Sequence, residues 1–319
     1  MSPTDPDTPA EPEFTVERYL SGVRIDSFLA KHLRNYTKWR LNRMIGAGLA
    51  DVNGLPADQT HRVSRGQTVR IRLVEPPDKL LDPDPAEVRI LYEDPWLMVV
   101  DKPAGMVAHP VGEFQSGTLA NLLQHHLDQQ TTCRGLMRPG IVHRLDRMTS
   151  GLMVVTKEHH AHRLVSKDFQ AGRMEKFYLA LVEGRVPFDE RVIELPIGHR
   201  VGGRSVLMSA GAGAIRPRSA RTKVTVLDRR GSITVVECRL DTGRNHQIRV
   251  HMAEIGHPVV GDEFYGPHGE IRSRPHDEGG SPTSRRHVLH AARIEFRHPI
   301  LNEPLRAVSR PPDDFLGQL

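Results

Sequence analysis

The chain is poor in several things that would have set its class at once. It has two cysteines in 319 residues, Cys133 and Cys238, which is no disulfide framework, and neither stands at a metal-ligand spacing. Long apolar runs are missing: the longest strand-like stretches, Leu97–Val100 and Leu152–Val155, fall far short of the ~20 residues a membrane helix needs. The opening residues, rich in Asp and Pro, lack the basic and apolar regions of a secretory leader, so a cytoplasmic protein with no membrane contact is expected. Eighteen histidines invite a metal site, but none falls in an HExxH pattern, and the expectation is no metal. No GxGxxG follows a strand, and there is no GxxxxGK[ST] loop and no GxSxG elbow. Dinucleotide, P-loop and serine-hydrolase chemistry lose their support, and no cofactor is expected.

What is present is a soluble composition, 38% hydrophobic and 26% charged, on a length that suits about two domains. The formal charge of +5 is modest but unevenly spread. Residues 1–13 hold four acids and no base, with Pro at 3, 6, 9 and 12, and read as a disordered acidic tail. Residues 14–75 hold eleven bases against five acids, a small cationic unit of the kind that meets a polyanion, most often nucleic acid. A merely solvated basic face is the plainer alternative. Within this unit Ile25, Phe28, Leu29 and Leu33 recur at helical spacing behind Asp26 as N-cap. Thr37 can cap a second helix, with Leu41, Met44 and Ile45 inward and Lys38, Arg40 and Arg43 on the other side. A strand is expected over Gln67–Val74.

Residues 76–88, rich in Pro and Asp, read as a linker, and 89–319 as one larger domain. Its strands (Arg89–Tyr92, Trp96–Val100, Leu152–Thr156, Lys176–Val182, Ala220–Leu227, Ile233–Leu240, Gln247–Met252) mostly alternate. With helices at Leu119–Leu127 and His160–Gln170, they predict an α+β fold on a mixed, mainly antiparallel sheet flanked by helices and loops. Residues 202–218 and 266–284 are expected as loops.

Four segments set polar groups beside apolar strands. In Arg138-Pro-Gly-Ile-Val-His-Arg-Leu-Asp-Arg-Met-Thr-Ser-Gly151, Asp146 lies in a turn feeding a buried strand, a placement that suits a nucleophile or base. An aspartate satisfied by neighbouring arginines and turn amides accounts for the same residues. In Gln247–Met252, read as a strand, Gln247, Arg249 and His251 share one face. Tyr178 lies in Glu175–Val182, out of phase with Phe177, Leu179 and Leu181, as a half-buried strand residue would. Asp101-Lys-Pro-Ala-Gly105 forms a turn after a strand.

Together these segments resemble the signatures of the RluA-type pseudouridine synthases. The likeness is carried by Pro139–Gly151, by Gly243-Arg-Asn-His-Gln-Ile-Arg-Val-His251 with Gly261-Asp262 and Tyr265-Gly266, and by Asp101–Gly105, Lys176–Gly184 and His290-Ala-Ala292. The first module resembles an S4 RNA-binding domain, a pairing similar to the RluC- and RluD-like members. The resemblance implies isomerisation of specific uridines in RNA to pseudouridine after base flipping, without cofactor or metal. Large-subunit ribosomal RNA is the expected target, transfer RNA the alternative, and the protein a monomer. It implies Asp146 as the catalytic carboxylate, Arg249 as the basic residue that pairs with it and Tyr178 as the tyrosine that stacks on the uracil and is a candidate for proton removal, with Arg144 filling the gap left by the flipped nucleotide. His143, Thr149, Arg244, His246 and Gln247 fall in the same motifs and are expected at the RNA, as are Arg40 and Arg43 of the first module. Two other classes fit parts of the pattern. A non-catalytic RNA-binding factor would not need Asp146, Tyr178 and Arg249 together, and a glycosidic-bond hydrolase normally calls for a second catalytic carboxylate.

Overall fold

The structure, a computed structural model, describes residues 11–34, 36–73, 81–130, 135, 137–200, 207–272 and 286–317. In the basic module, helices α1 (Ile25–His32) and α2 (Lys38–Gly46) accompany a four-stranded sheet. Its strands are β1 (Glu13–Thr15), β2 (Ala50–Val52), β3 (Leu55–Pro56) and β4 (Thr68–Ile71), in the order β1-β4-β2-β3. Phe28, Leu29, Leu41, Met44 and Ile45 of the helices share one core with Val52, Val69 and Ile71 of the sheet. Thr37 caps α2 as expected, its hydroxyl accepting from the Arg40 amide at 3.3 Å.

Two expectations change here. α1 starts two residues earlier than a helix capped by Asp26 would; Arg24 is the N-cap and Asp26 lies buried in the first turn, ion-paired to Arg24 at 3.1 Å. The end of the expected tail is also part of the module, because Glu13 opens β1 and pairs with Arg70 at 3.0 Å while Glu11 pairs with Arg72 at 2.6 Å. Residues 1–10 of that tail, and Val74 at the end of the expected 67–74 strand, lie outside the described residues. Of the linker, residues 81–88 run without regular structure and are tied to the larger domain, Asn121 Nδ2 donating to the Asp82 carbonyl at 2.7 Å.

The larger domain runs β5 (Arg89–Glu93), β6 (Leu97–Lys102), α3 (Leu119–Asp128), β7 (Gly140–Ile141), β8 (Ser150–Thr156), α4 (His159–Gln170) and β9 (Glu175–Glu183). It continues β10 (Glu190–Ile193), β11 (Ile197–Arg200), β12 (Met208–Ala210), β13 (Ala214–Arg218), β14 (Thr222–Arg230) and β15 (Ile233–Leu240). Then follow α5 (Gln247–Glu254), β16 (Leu289–Arg297) and β17 (Pro304–Val308). A ten-stranded sheet in the order β10-β14-β15-β9-β16-β8-β6-β5, with β17 beside β16 and β7 beside β8, forms the body. It is antiparallel except where β16 meets β8, the mixed sheet the alternation predicts. Its central strands are covered on both faces. Met98, Val100, Met153 and Val155 face one core while Leu97, Val99, Leu152 and Val154 face another, which is why these runs are continuously apolar.

Within the expected 202–218 loop, Met208–Ala210 and Ala214–Arg218 instead form β12 and β13, paired on either side of β11, with Gly211–Gly213 as the turn between them. The intervening Gly-Ala-Gly turn and the alanines beside it hide these short strands from propensity, since the pairing partner supplies the stabilisation. Residues 201–206, and 273–285 within and just past the expected 266–284 loop, lie outside the described residues.

The parallel crossing of β8 and β16 requires a glycine. Gly151 has φ +111°, and a Cβ there would lie 2.3 Å from the Ala291 carbonyl oxygen. Gly151→Ala should therefore destabilise the domain by about 3 kcal/mol or more, read as a lowered midpoint in chemical denaturation; a change within ~0.5 kcal/mol would contradict the packing described.

Candidate active site

The sheet register assembles the site from distant sequence. Ala291 of β16 pairs with Gly151 on one side and with Tyr178 of β9 on the other. The turn that precedes β8 holds Asp146, whose carbonyl accepts from the Thr149 amide at 3.0 Å. Asp146 and Tyr178 thereby face one small cavity of about 60 Å³, together with Arg144, Thr149, His246 and Arg249. Asp146 also lies on the wall of an adjoining groove of about 610 Å³, lined on its apolar side by Val107, Ala108, Val111 and Phe114.

Arg249 is the centre of the electrostatics. Its Nη1 donates to Asp146 Oδ2 at 2.9 Å, while Nε and Nη2 grip both oxygens of Asp262 at 2.6 and 2.8 Å. Asp262 accepts in addition from the Phe264 and Tyr265 amides, at 2.9 and 3.2 Å. Arg249 and Asp262 are both almost wholly buried, whereas the Asp146 side chain keeps 21% of its surface exposed. The bidentate grip fixes the guanidinium plane, so an Nη1 N–H points at Asp146.

Burial by itself would raise the Asp146 carboxyl. Against it act His246, Arg249 and His287, which together hold it below the usual carboxylate range. Burial also holds both imidazoles down, His287 to about 3 and His246 below its ordinary value. Both rings are accordingly neutral at pH 7, and we assign the effective cation there to Arg249. For Arg249, burial opposes the charge, but Asp262 and then Asp146 outweigh it and push its pKa up. Tyr178 is driven the other way from a base. Burial and then the Asp146 charge raise its phenol well above the usual tyrosine value, so it stays protonated.

The surrounding contacts hold the turn still. Lys102, fully buried, donates to the carbonyls of Pro103, Met106 and Arg147 at 2.8, 2.9 and 3.2 Å, and its desolvation lowers its pKa to about 7. Arg286 donates to the Met148 carbonyl at 3.1 Å, and the Thr149 hydroxyl meets His287 Nε2 at 2.8 Å. His246, at φ +54°, precedes α5; its Nδ1 lies 2.7 Å from the Tyr265 hydroxyl and its Nε2 3.9 Å from Asp146.

Of the residues read from sequence, Asp146, Tyr178, Arg249, Arg144, Thr149, Arg244, His246 and Gln247 converge on the one cavity. Arg144 is exposed at its mouth, and Arg244 is turned to the Ser219 carbonyl at 3.0 Å. Gln247 is buried with its amide engaged by Thr222, Thr242 and the Arg221 carbonyl, so it braces the wall. His143 does not join them: its Nε2 accepts from the Val154 amide at 2.9 Å and its ring stacks on Phe169. Arg40 and Arg43 are on the first module, on α2.

The expected strand Gln247–Met252 is the main correction, because it is helix α5. All of Gln247–Ala253 is buried, so the helix has no polar side to betray its period. Its polar residues diverge: Arg249 reaches the two aspartates, whereas His251 bonds the Thr222 hydroxyl and the Leu195 carbonyl, each at 2.9 Å. Sequence reasoning missed the roles of Asp262, Lys102 and His287. The first two lie inside recognisable motifs, but nothing in linear order tells that Asp262 faces Arg249. Among the described residues, no group of three or more His, Cys, Asp or Glu could hold a metal ion, and no helix is long and apolar enough to cross a membrane.

The site is thus a half-buried carboxylate, kept ionised by a guanidinium and set beside a tyrosine in a cleft of a mixed sheet. A family model described as RNA pseudouridylate synthase matches residues 96–254. The chain is 38% identical over 303 residues to the ribosomal large subunit pseudouridine synthase D of Neisseria meningitidis serogroup A, covering 94% of this chain and 79% of that one. It is 34% identical over 303 residues to an RNA pseudouridine synthase of Bacillus subtilis, covering 95% of each. Its fold is similar to that of human RNA pseudouridylate synthase domain containing 1, with a TM-score of 0.54 and 26% identity over 75% of this chain and 87% of that one. The chain belongs to the RNA pseudouridine synthases: it is an RNA-modifying isomerase.

Because Arg249 opposes burial at Asp146, Arg249→Met should move the acid limb of the activity–pH profile upward by about 1–3 units. The sign follows from the carboxyl: held low by the cation, it protonates at higher pH once the cation is gone. The substitution also strands Asp262, so stability should fall by about 3–5 kcal/mol. An unshifted acid limb in a folded variant would contradict the pairing.

Proposed function

We propose that this enzyme converts specific uridines of large-subunit ribosomal RNA to pseudouridine, with Asp146 as its catalytic carboxylate. The observation that carries the reading is the Asp146–Arg249–Asp262 chain, which keeps one carboxylate charged where water is scarce. The reaction breaks the N1–C1′ bond, turns the uracil, joins C5 to C1′, and exchanges the C5 proton for one on N1. A carboxylate serves either by adding at the sugar or base or by removing a sugar proton, and both roles need the ionised form that Arg249 secures. The target base leaves its stack at a cost of a few kcal/mol. Stacking on Tyr178, worth about 1–3 kcal/mol, offsets part of that cost, and Arg144, exposed at the cavity mouth, is placed to enter the vacated space. A phenol held protonated suits Tyr178 to stacking more than to proton removal.

Residues 11–73 act as an S4-like RNA-binding module whose bases, mostly arginine, supply the phosphate attraction. The ribosomal target is supported by the Neisseria relative's name, and the protein is read as a cytoplasmic monomer. Asp146→Asn should reduce pseudouridine formation to background, measured by tritium release from 5-labelled uridine RNA, while RNA affinity stays within about twofold. Pseudouridine from the Asn variant would remove Asp146 from its role, and free uracil as product would indicate a hydrolase. Replacing Arg40 and Arg43 together by Ala should flatten the slope of log affinity against log salt by about 1 for each phosphate no longer neutralised; an unchanged slope would count against the module's role.

A further inference from the structure

The first module carries a feature that catalysis does not use. Trp39 stands on α2 with 67% of its surface exposed, opposite the buried Leu41, Met44 and Ile45. One turn further on, the Arg43 guanidinium lies over the indole, 4.8 Å from the ring centroid. Together they border a shallow recess of about 510 Å³ with Arg24, Asp26, Lys38 and Asn42. Asp26 is engaged by Arg24 at 3.1 Å and Lys38 at 3.7 Å, so the rim of three cations and one acid keeps a positive excess. A flat indole beside several cations matches a nucleotide: a base has a π-face for the ring, and its phosphate suits the guanidinium and ammonium groups. Paired bases hide that face inside the duplex, so the match is to unpaired RNA.

We infer that this recess binds one unpaired nucleotide of the RNA substrate, its base stacked on Trp39 and its phosphate held by Arg24, Lys38 and Arg43. The inference rests on the reading of residues 11–73 as an RNA-binding module. It adds a second grip on the substrate, on a different module from Asp146, and makes a single-stranded element part of what the enzyme recognises.

The test uses the full chain. Trp96 is the other tryptophan of the sequence, so Trp96→Phe leaves Trp39 as the sole reporter of intrinsic tryptophan fluorescence. The probes are an oligouridine and an RNA duplex of equal length at fixed salt. The oligouridine should quench Trp39 emission. By filter binding, Trp39→Ala should weaken oligouridine affinity by about five- to a hundredfold, the loss of one stacked base, with duplex affinity unchanged. Trp39→Phe should restore most of the affinity. Equal oligouridine affinity in Trp39→Ala and the wild-type protein, or an equal loss on both probes, overturns the site. The charge reversals Lys38→Glu and Arg43→Glu separate the two readings. If they abolish binding while Trp39→Ala changes nothing, the module binds RNA and the stacking site falls. If they leave both probes bound, the RNA-binding reading of the module falls and takes the site with it.

Discussion

Arg249 sits between two carboxylates, and the working state of the site depends on that sharing. Asp262 takes two of its N–H groups and Asp146 a third, so one guanidinium is both anchored and presented. Were Asp262 absent, the guanidinium would be left with its single bond to Asp146 and nothing to fix its plane. Were Arg249 absent, burial would favour the protonated Asp146 and the ionised form would be lost. The arrangement is a poor source of stability, since taking ions from water costs about what their attraction returns. Its value lies in fixing one charge state at one place.

The rest of the domain serves that placement. The Gly151–Ala291–Tyr178 row across three strands brings the turn before β8 and the tyrosine of β9 to one cavity. Lys102 ties the turn from one side through the Arg147 carbonyl, and Arg286 from the other through the Met148 carbonyl. Both use a buried or nearly buried basic side chain as a donor to backbone oxygens, which positions the chain without adding a competing anion. Burial keeps His246 and His287 neutral at pH 7, so they shape the wall without diluting the contrast between Arg249 and Asp146.

Much of this was legible in linear order. The strand pattern carried the mixed sheet, the basic bias marked residues 14–75 as a unit of their own, and the long motifs pointed to Asp146, Tyr178 and Arg249. The failures have physical causes. Gln247–Met252 alternates like a strand but is a helix, because a helix buried on every side sheds the polar stripe that reveals its period. Residues 207–218 look like a loop because the Gly-Ala-Gly turn at 211–213 and its flanking alanines carry little strand propensity, yet pairing with β11 makes strands of Met208–Ala210 and Ala214–Arg218. His143 stands close before Asp146 in the same motif and still turns away to stack on Phe169, since successive positions of a turn can face opposite ways.

The chemistry available, an aspartate, an arginine and a tyrosine with no cofactor motif, was settled by the order of amino acids, because residue types and local spacing are properties of the chain itself. So was the cationic bias of residues 14–75. Which carboxylate Arg249 grips and which it presents was decided only in three dimensions. Asp146, Arg249 and Asp262 come from a turn, a helix and a second turn, and charge interactions act over a few ångströms of space, whatever the number of residues between them.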